Sequence, residues 1–441
     1  MKDFTLRKSI LNGRMLFTAA LAAAGLTAPA QSMRFLNTMT ANDNTQFIAT
    51  SEAISSNHKY VTGPAYNMET GGFGMFVYDL DTDEYAVTPE VDYYGADMRA
   101  VSDNGVAIGY NGVPLTYSID GTTENLQVPE NYTGTARDAS DDLSVVVGCY
   151  YEVDGFYTKA CIWRNGQMEE LPLPTDEELG FETNGSSAYY ITADGSIIVG
   201  YAIDNFSTNP VILWCLQDDG SYQCDPSLCM DYFSPDNDEL DRPYIEFTPT
   251  GISRNGHYLG LNVAGYDGTE RMARYDLTTG ELEEFIPDGT NGIAEGSGSS
   301  SSAISDDGTI CGWILQGEWV MQQRNACLWR GGEKYPVILA DEYPELPDIA
   351  RFDALMFNTL CDITPDGRYI TGFAMDESHM YNSFVIDLGE TATGISKTEA
   401  KADGNEEVAR YTVDGTRISE PVKGLNIVKK ADGTTVKVMV K

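Results

Sequence analysis

Seven segments between Ala53 and Ala374 repeat one pattern: a Ser or Thr, a polar turn that usually ends in Asn-Gly or Asp-Gly, and an apolar strand closed by Gly. They read AISSNHKYVTG, AVSDNGVAIG, DASDDLSVVVG, YITADGSIIVG, GISRNGHYLG, AISDDGTICG and DITPDGRYITG. The closing glycines Gly63, Gly109, Gly148, Gly200, Gly260, Gly312 and Gly372 fall 46, 39, 52, 60, 52 and 60 residues apart. A repeat of this length built from short strands predicts a radial array of four-stranded sheets, an all-β, seven-bladed β-propeller, rather than a helical solenoid.

Each unit has a second half. After the closing Gly and a loop of varying length comes a strand with an aromatic at a shared place, Tyr78, Tyr117, Trp163, Trp214, Tyr275 or Trp329, followed by a turn rich in Asp, Gly, Asn and Thr. Two hairpins per unit give strands A-B and C-D. Asn104-Gly105, Asp194-Gly195, Asn255-Gly256, Asp307-Gly308 and Asp366-Gly367 supply the left-handed backbone of a tight A-B turn. Asn57-His58 and Asp142-Leu143 are expected to turn differently. The seventh unit lacks a clear D strand, while Met33 to Ala49 is strand-like and has no partner, so this stretch is expected to complete blade seven and lock the ring.

The ends mark further boundaries. Lys2, Arg7, Lys8 and Arg14 precede an apolar run from Met15 to Thr27, and Ala28-Pro29-Ala30 is a small-residue cleavage pattern. Residues 1–30 therefore read as a signal peptide, too short in its apolar part to span a bilayer. No later segment of the mature chain is long and apolar enough to do so. The propeller is expected over 31–390, a polar linker over 391–405, and a small antiparallel β module over 406–441.

The formal charge is −39, and removal of the leader's four basic residues and Asp3 brings it to about −42. Such a field excludes nucleic acid as a partner. From Thr391 to Lys441 nine Lys or Arg outnumber seven Asp or Glu, a charge break that supports a separate tail module.

Eight cysteines in an exported chain are disulfide candidates. Cys149 and Cys161 fall on the second and third strands of repeat 3, and Cys311 and Cys327 on the same strands of repeat 6, so a bridge within each blade is expected, with small buried unpaired thiols as the alternative. Cys224 and Cys229 are a further candidate pair closing a loop.

The pairs AISDDGTICGW with ACLWRGG, and DDLSVVVG with ACIWRNGQMEELPLP, resemble the extracellular HAF repeat family, over roughly residues 53 to 389. That resemblance implies an exported propeller and leaves the ligand open. The tail carries a turn at Asp414-Gly415, the strand Lys423 to Val428, a turn at Asp432-Gly433 and a terminal KVMVK strand. It resembles the C-terminal sorting domain of the type IX secretion system of Gram-negative bacteria. The resemblance implies contact with that secretion machinery and delivery to the outer cell surface or the medium, with retention in the periplasm as the alternative.

No catalytic residue stands out. His58 and His257 sit in A-B turns and His379 in a loop of repeat 7, without the neighbours that a zinc site or a His-activated nucleophile needs. No cofactor is expected; the alternative is calcium in the Asp79-x-Asp81-x-Asp83 run, which coincides with a C-D turn and lacks the downstream Glu of a calcium loop. Acidic residues are so abundant that a carboxylate pair is not a signal in itself.

The A-B and C-D turns are short and uniform, whereas the B-C and D-A connections are long and individual, so recognition is expected on the long-loop face. Its candidate contacts are Tyr93, Tyr94, Tyr151, Phe156, Tyr157, Tyr232, Phe233, Trp319 and Tyr343, rings suited to stacking on sugars or anchoring a protein, unless they merely pin the loops. The reading is an exported binding module for a glycan or protein ligand. The rival is a glycan-active hydrolase or lyase with acidic residues on the same face.

Overall fold

The structure, a computed structural model, describes residues 31–40, 46–91, 96–155, 157–179, 182–204, 210–225, 244–265, 269–289, 293, 295–316, 323–343, 359–375 and 381–389. From the tail it describes 407–412, 417–418, 421, 423–430 and 435–440. The chain divides into two compact units, Met1–Thr391 and Ala392–Lys441. The first is a seven-bladed propeller of antiparallel sheets ordered A-B-C-D, with Met39–Thr40 added outside A in blade 1. In the second, strands Glu407–Thr412, Arg417–Ile418, Gly424–Lys430 and Thr435–Val440 form one antiparallel sheet.

The A strands of blades 2 to 7 are Ala96–Val101, Tyr132–Ala139, Thr183–Ile191, Tyr244–Ile252, Ser299–Ile304 and Thr359–Ile363. Blade 1 splits its A strand into Gln46–Ala49 and Ala53–Ile54, both paired with Tyr60–Asn67. Blade 7 takes its fourth strand from the other end of the chain, as expected, but only from the start of the stretch expected to supply it: Ser32–Phe35 pairs antiparallel with Tyr381–Asp387, Ser32 opposite Asp387 and Phe35 opposite Phe384, while Met39–Thr40 and Gln46–Ala49 join blade 1. Side chains weld the joint. Ser51 donates from its hydroxyl to the Gly372 carbonyl at 2.6 Å, Ser383 Oγ donates to the Ala49 carbonyl at 2.8 Å, and Arg34 reaches Asp83 and the Leu80 carbonyl in blade 1.

The repeated Ser or Thr explains itself in the A-B turn. Ser55, Ser140, Thr192, Ser253, Ser305 and Thr364 each share a hydrogen bond with the Asn or Asp two residues on, at 2.6–2.8 Å. Ser102 is the seventh and accepts from the Val106 N–H at 3.2 Å. All seven are buried. They are satisfied polar groups that hold a turn, which is why they recur. Contrary to expectation, the two copies without Gly make the same turn: His58 and Leu143 stand at φ 54° and 60° and donate to the Ser55 and Ser140 carbonyls as the glycines do in theirs. The other turn contacts over-determine that conformation, and His58 also stacks on Tyr369 at 4.0 Å.

The closing Gly has a different cause. Each A strand of blades 2 to 7 carries a β-bulge, at Arg99, Arg137, Tyr189, Thr250, Ser302 or Cys361. The bulge drives a carbonyl toward strand B, so a Cβ on Gly109, Gly148, Gly200, Gly312 or Gly372 would lie 1.9–2.1 Å from that oxygen. Blade 5 departs from this. Gly260 pairs with Gly251 beyond the bulge, its Cβ would meet nothing closer than Thr250 Oγ1 at 3.0 Å, and Leu261 faces Pro249 where the other blades have their Gly.

Between blades, the C-strand aromatics form the core. Trp163, Trp214 and Trp329 are almost wholly buried, and their indole N–H groups donate to the carbonyls of Gln127, Pro172 and Glu333 at 2.6–2.8 Å. The cysteines need a correction. Cys149 lies opposite Ala160 and Cys161 opposite Gly148; Cys311 lies opposite Leu328 and Cys327 opposite Gly312. Successive residues of a strand point to opposite faces, so neither pair can bridge. All four are buried free thiols, pushed up by burial. Cys229, the proposed partner of Cys224, lies outside the described residues.

Candidate functional site

Six bulges, and the break in the A strand of blade 1, set seven residues of six types about the propeller axis. Three positions before each turn Ser or Thr stand Glu52, Arg99, Arg137, Tyr189, Thr250, Ser302 and Cys361. All seven line one axial cavity of about 420 Å³. Next to them along the strands, Asp138 and Asp362 line it where other blades have Ala, Gly or Tyr. The lining continues to the A-B turns through Ser56, Asp103, Asp141, Arg254 and Pro365 and takes in no described residue of the long B-C or D-A loops. The described lining therefore lies toward the short-turn end of the channel.

Its charged groups form two walls. On one, Arg99 donates from Nε to Asp97 Oδ2 at 2.9 Å and sets Nη1 3.0 Å from Glu52 Oε2. Arg137 Nη1 reaches the same Asp97 oxygen at 3.5 Å, and its guanidinium lies over the Tyr189 ring at 4.9 Å. The Tyr189 and Tyr201 hydroxyls share a hydrogen bond of 2.7 Å, and burial pushes Tyr190 up to about 12. On the other wall, Arg254 of blade 5 spends its terminal nitrogens on the carbonyls of Ile191 and Ala139, both at 2.9 Å, and on Asp141. Asp138 lies 3.6 Å from it and accepts the backbone N–H groups of Ile191 and Ala139 at 3.0 and 2.7 Å. Asp362 accepts those of Ile54 and Ile363 at 2.9 and 2.8 Å.

Removal from water dominates the carboxyl groups. Burial raises Glu52 to about 7 against the pull of Arg99, with Asp97 adding to the rise. It raises Asp362 to about 7 against two backbone donors, and raises Asp138 against Arg254. The Cys361 thiol is pushed up by burial and by the Glu52 carboxylate. The cavity thus joins two carboxyl groups that titrate near neutrality to a paired guanidinium wall and a tyrosine stack.

Of the nine predicted rings, the three described, Tyr151, Tyr157 and Tyr343, stand outside this cavity's lining. Tyr343 is buried and accepts from Arg330 Nη2 at 2.8 Å, so it pins its loop. Tyr151 is half-buried in strand B of blade 3, and Tyr157 is exposed. Tyr93, Tyr94, Phe156, Tyr232, Phe233 and Trp319 lie outside the described residues, as does His379. In the acidic C-D turn, Asp79 Oδ1 accepts the N–H groups of Asp81 and Thr82, and Asp83 is engaged by Arg34 and Tyr78. Among the described residues no group of three or more metal-ligating side chains converges. No described helix is long and apolar enough to cross a membrane.

No protein-family model and no curated protein matches the sequence. Among solved structures, the chain is similar to an oligogalacturonate lyase from Vibrio parahaemolyticus at 12% identity, over 81% of this chain and 98% of that one, with a TM-score of 0.51. It is similar to a puromycin hydrolase at 11% identity over 92% of this chain and 61% of that one, with a TM-score of 0.50. The β-propeller domain of the Trilobed protease from Pyrococcus furiosus gives 13% identity, 78% and 94% coverage and a TM-score of 0.44. Likeness at such identities is one of architecture, and chemistry has to be read from the cavity itself.

Proposed function

We propose that this chain is an exported binding module that seats a glycan in the axial cavity of its propeller. The observation that carries the reading is the placement of chemical variety. Every blade uses Ser or Thr in its turn, yet three positions earlier the seven blades present six different residue types to one cavity of about 420 Å³. That volume suits a small ligand of a few rings better than a protein surface, and hydroxyl-rich ligands match its mix of carboxyl, guanidinium and tyrosine groups. Export is supported by the basic and apolar leader ending in Ala28-Pro29-Ala30, and surface delivery by the resemblance of the tail to a sorting domain.

A glycan array with the purified chain tests this, alongside Ser302→Trp, which fills the cavity. Hits that Ser302→Trp abolishes while its circular dichroism stays native are the expected result. An array without hits, or hits indifferent to the filled cavity, would overturn it.

A second reading, a glycan-active hydrolase or lyase, is favoured by one observation: Glu52 and Asp362 both rise to about 7 on the same cavity, where a general acid or base works best. Incubating each hit with the protein and following new reducing ends or unsaturated products separates the two. Turnover that Glu52→Gln removes while binding persists would make the protein an enzyme.

A further inference from the structure

The bound glycan's chemistry follows from which polar groups of the cavity are already spent. On the Arg254 wall nearly everything but the buried Arg254 Nε is. Two carbonyls and Asp141 hold its terminal nitrogens, and Asp138 and Asp362 each accept two backbone N–H groups. Around Asp97 two guanidiniums share one carboxylate. Arg99 takes Asp97 Oδ2 at 2.9 Å, and Arg137 is left with the same oxygen at 3.5 Å. Arg137 Nε is buried without a hydrogen bond. Tyr189 braces its face by stacking, and the Tyr189–Tyr201 hydroxyl bond braces Tyr189 in turn. A rigid, planar cation with an unspent edge accepts a carboxylate side-on through two parallel N–H···O bonds.

Local charge points the same way. Arg99 and Arg137 face Asp97, and Glu52 is held half-protonated near neutrality, so this wall carries a positive surplus inside a strongly acidic protein. The remote acidic surface matters little to a ligand inside the channel, because salt screens charges beyond about 8 Å at physiological ionic strength.

We propose that the axial site is specific for a carboxylate-bearing saccharide, whose carboxylate docks on Arg137 beside Arg99; this rests on the glycan-binding reading above. The test varies ligand and protein separately. Saccharides carrying glucuronate, galacturonate or sialate are compared with their carboxyl-reduced counterparts by calorimetry on the unaltered full chain. Arg137→Gln and Arg137→Lys are then measured with the best acid. Reduction of the carboxyl should weaken binding about ten- to a hundred-fold, and Arg137→Gln by a similar factor. Arg137→Lys, which keeps the charge and loses the fork, should recover only part of it.

If acid and reduced forms bind equally and Ser302→Trp still abolishes both, the carboxylate claim fails while the axial glycan site stands. If sulfated but not carboxylated saccharides bind, the carboxylate claim fails as well. If nothing binds, or binding ignores Ser302→Trp, the axial site itself is wrong. The ligand-side comparison needs no variant, so misfolding of Arg137→Gln cannot shelter the proposal.

Discussion

Two rings of side chains circle the propeller axis three residues apart in every blade, and they have opposite characters. The lower ring, from Ser55 to Thr364, is Ser or Thr throughout and buried, its members bonded within their own turns. The upper ring runs Glu52, Arg99, Arg137, Tyr189, Thr250, Ser302 and Cys361, with no residue type prevailing, and faces a cavity. The first ring repeats because seven equivalent turns pose one hydrogen-bonding problem with one solution. The second is free to vary because a bulge lifts its members in blades 2 to 7 out of the ladder, and Glu52 falls in the break of the blade 1 A strand, where no blade-to-blade rule binds them. In a propeller of this kind sameness marks the scaffold and difference marks the candidate site.

The largest expected effect breaks the geometry that makes the upper ring. Gly200→Ala forces a Cβ to within 1.9 Å of the Ser187 carbonyl that the blade 4 bulge pushes forward, whereas at Gly260 the nearest atom is 3.0 Å away. Denaturant titration should show a loss of about 3 kcal/mol or more for Gly200→Ala and well under half of that for Gly260→Ala. Equal losses would mean that the bulges are not what the closing glycines accommodate.

A smaller effect reads the upper ring by pH. Glu52 and Asp362 hold a proton more tightly in the folded chain, at about 7, than at their ordinary values of 4.5 and 3.8. Their contribution is fully present below those ordinary values and is lost as pH rises to about 7, so stability should fall between about pH 4 and pH 7 and level off above it, by a few kcal/mol. The carboxylates held low, such as Asp142 and Asp194 in the turns, titrate below this window and do not offset it. Combining Glu52→Gln with Asp362→Asn should flatten the profile; an unchanged slope would place the buried protons elsewhere.

The smallest effect sets the rings against each other within one strand. Ser305→Ala removes the acceptor of the Thr309 N–H and the donor to Asp307, and should cost about 1–2 kcal/mol. Ser302→Ala, three residues earlier, should change stability by less than about 0.5 kcal/mol. The reverse order would contradict the division into scaffold and site.

That division also explains what could be read from the sequence. The blade number, the strand order and the donated N-terminal strand were legible because seven copies restate one register and the seventh lacks a D strand. The axial residues were hidden by the same logic. A motif is found by what its copies share, and Arg99 and Arg137 fall just ahead of the shared segments at the position where nothing is shared. One signal was present: Asp138 and Asp362 open their copies where Ala, Gly or Tyr opens the others. The cysteines misled because membership of neighbouring strands does not fix a shared face; Cys161 and Cys327 sit opposite glycines, one residue out of step with their supposed partners. His58 and Leu143 misled because a non-Gly residue at positive φ is unfavourable alone, yet is carried here by a turn whose other contacts are all in place.

The strand Ser32–Phe35 has a consequence for how the molecule comes to be made. Its partner, Tyr381–Asp387, is among the last propeller segments to be synthesised, so the first strand waits unpaired while six blades assemble. Closing so long a loop adds little entropy cost over a short one, because that cost grows only logarithmically with length. The hazard is competition instead. Until the ring seals, an incomplete blade seven offers a bare edge that the leading strand of another molecule fits equally well, and crowding many nascent copies together would favour linked chains over closed rings.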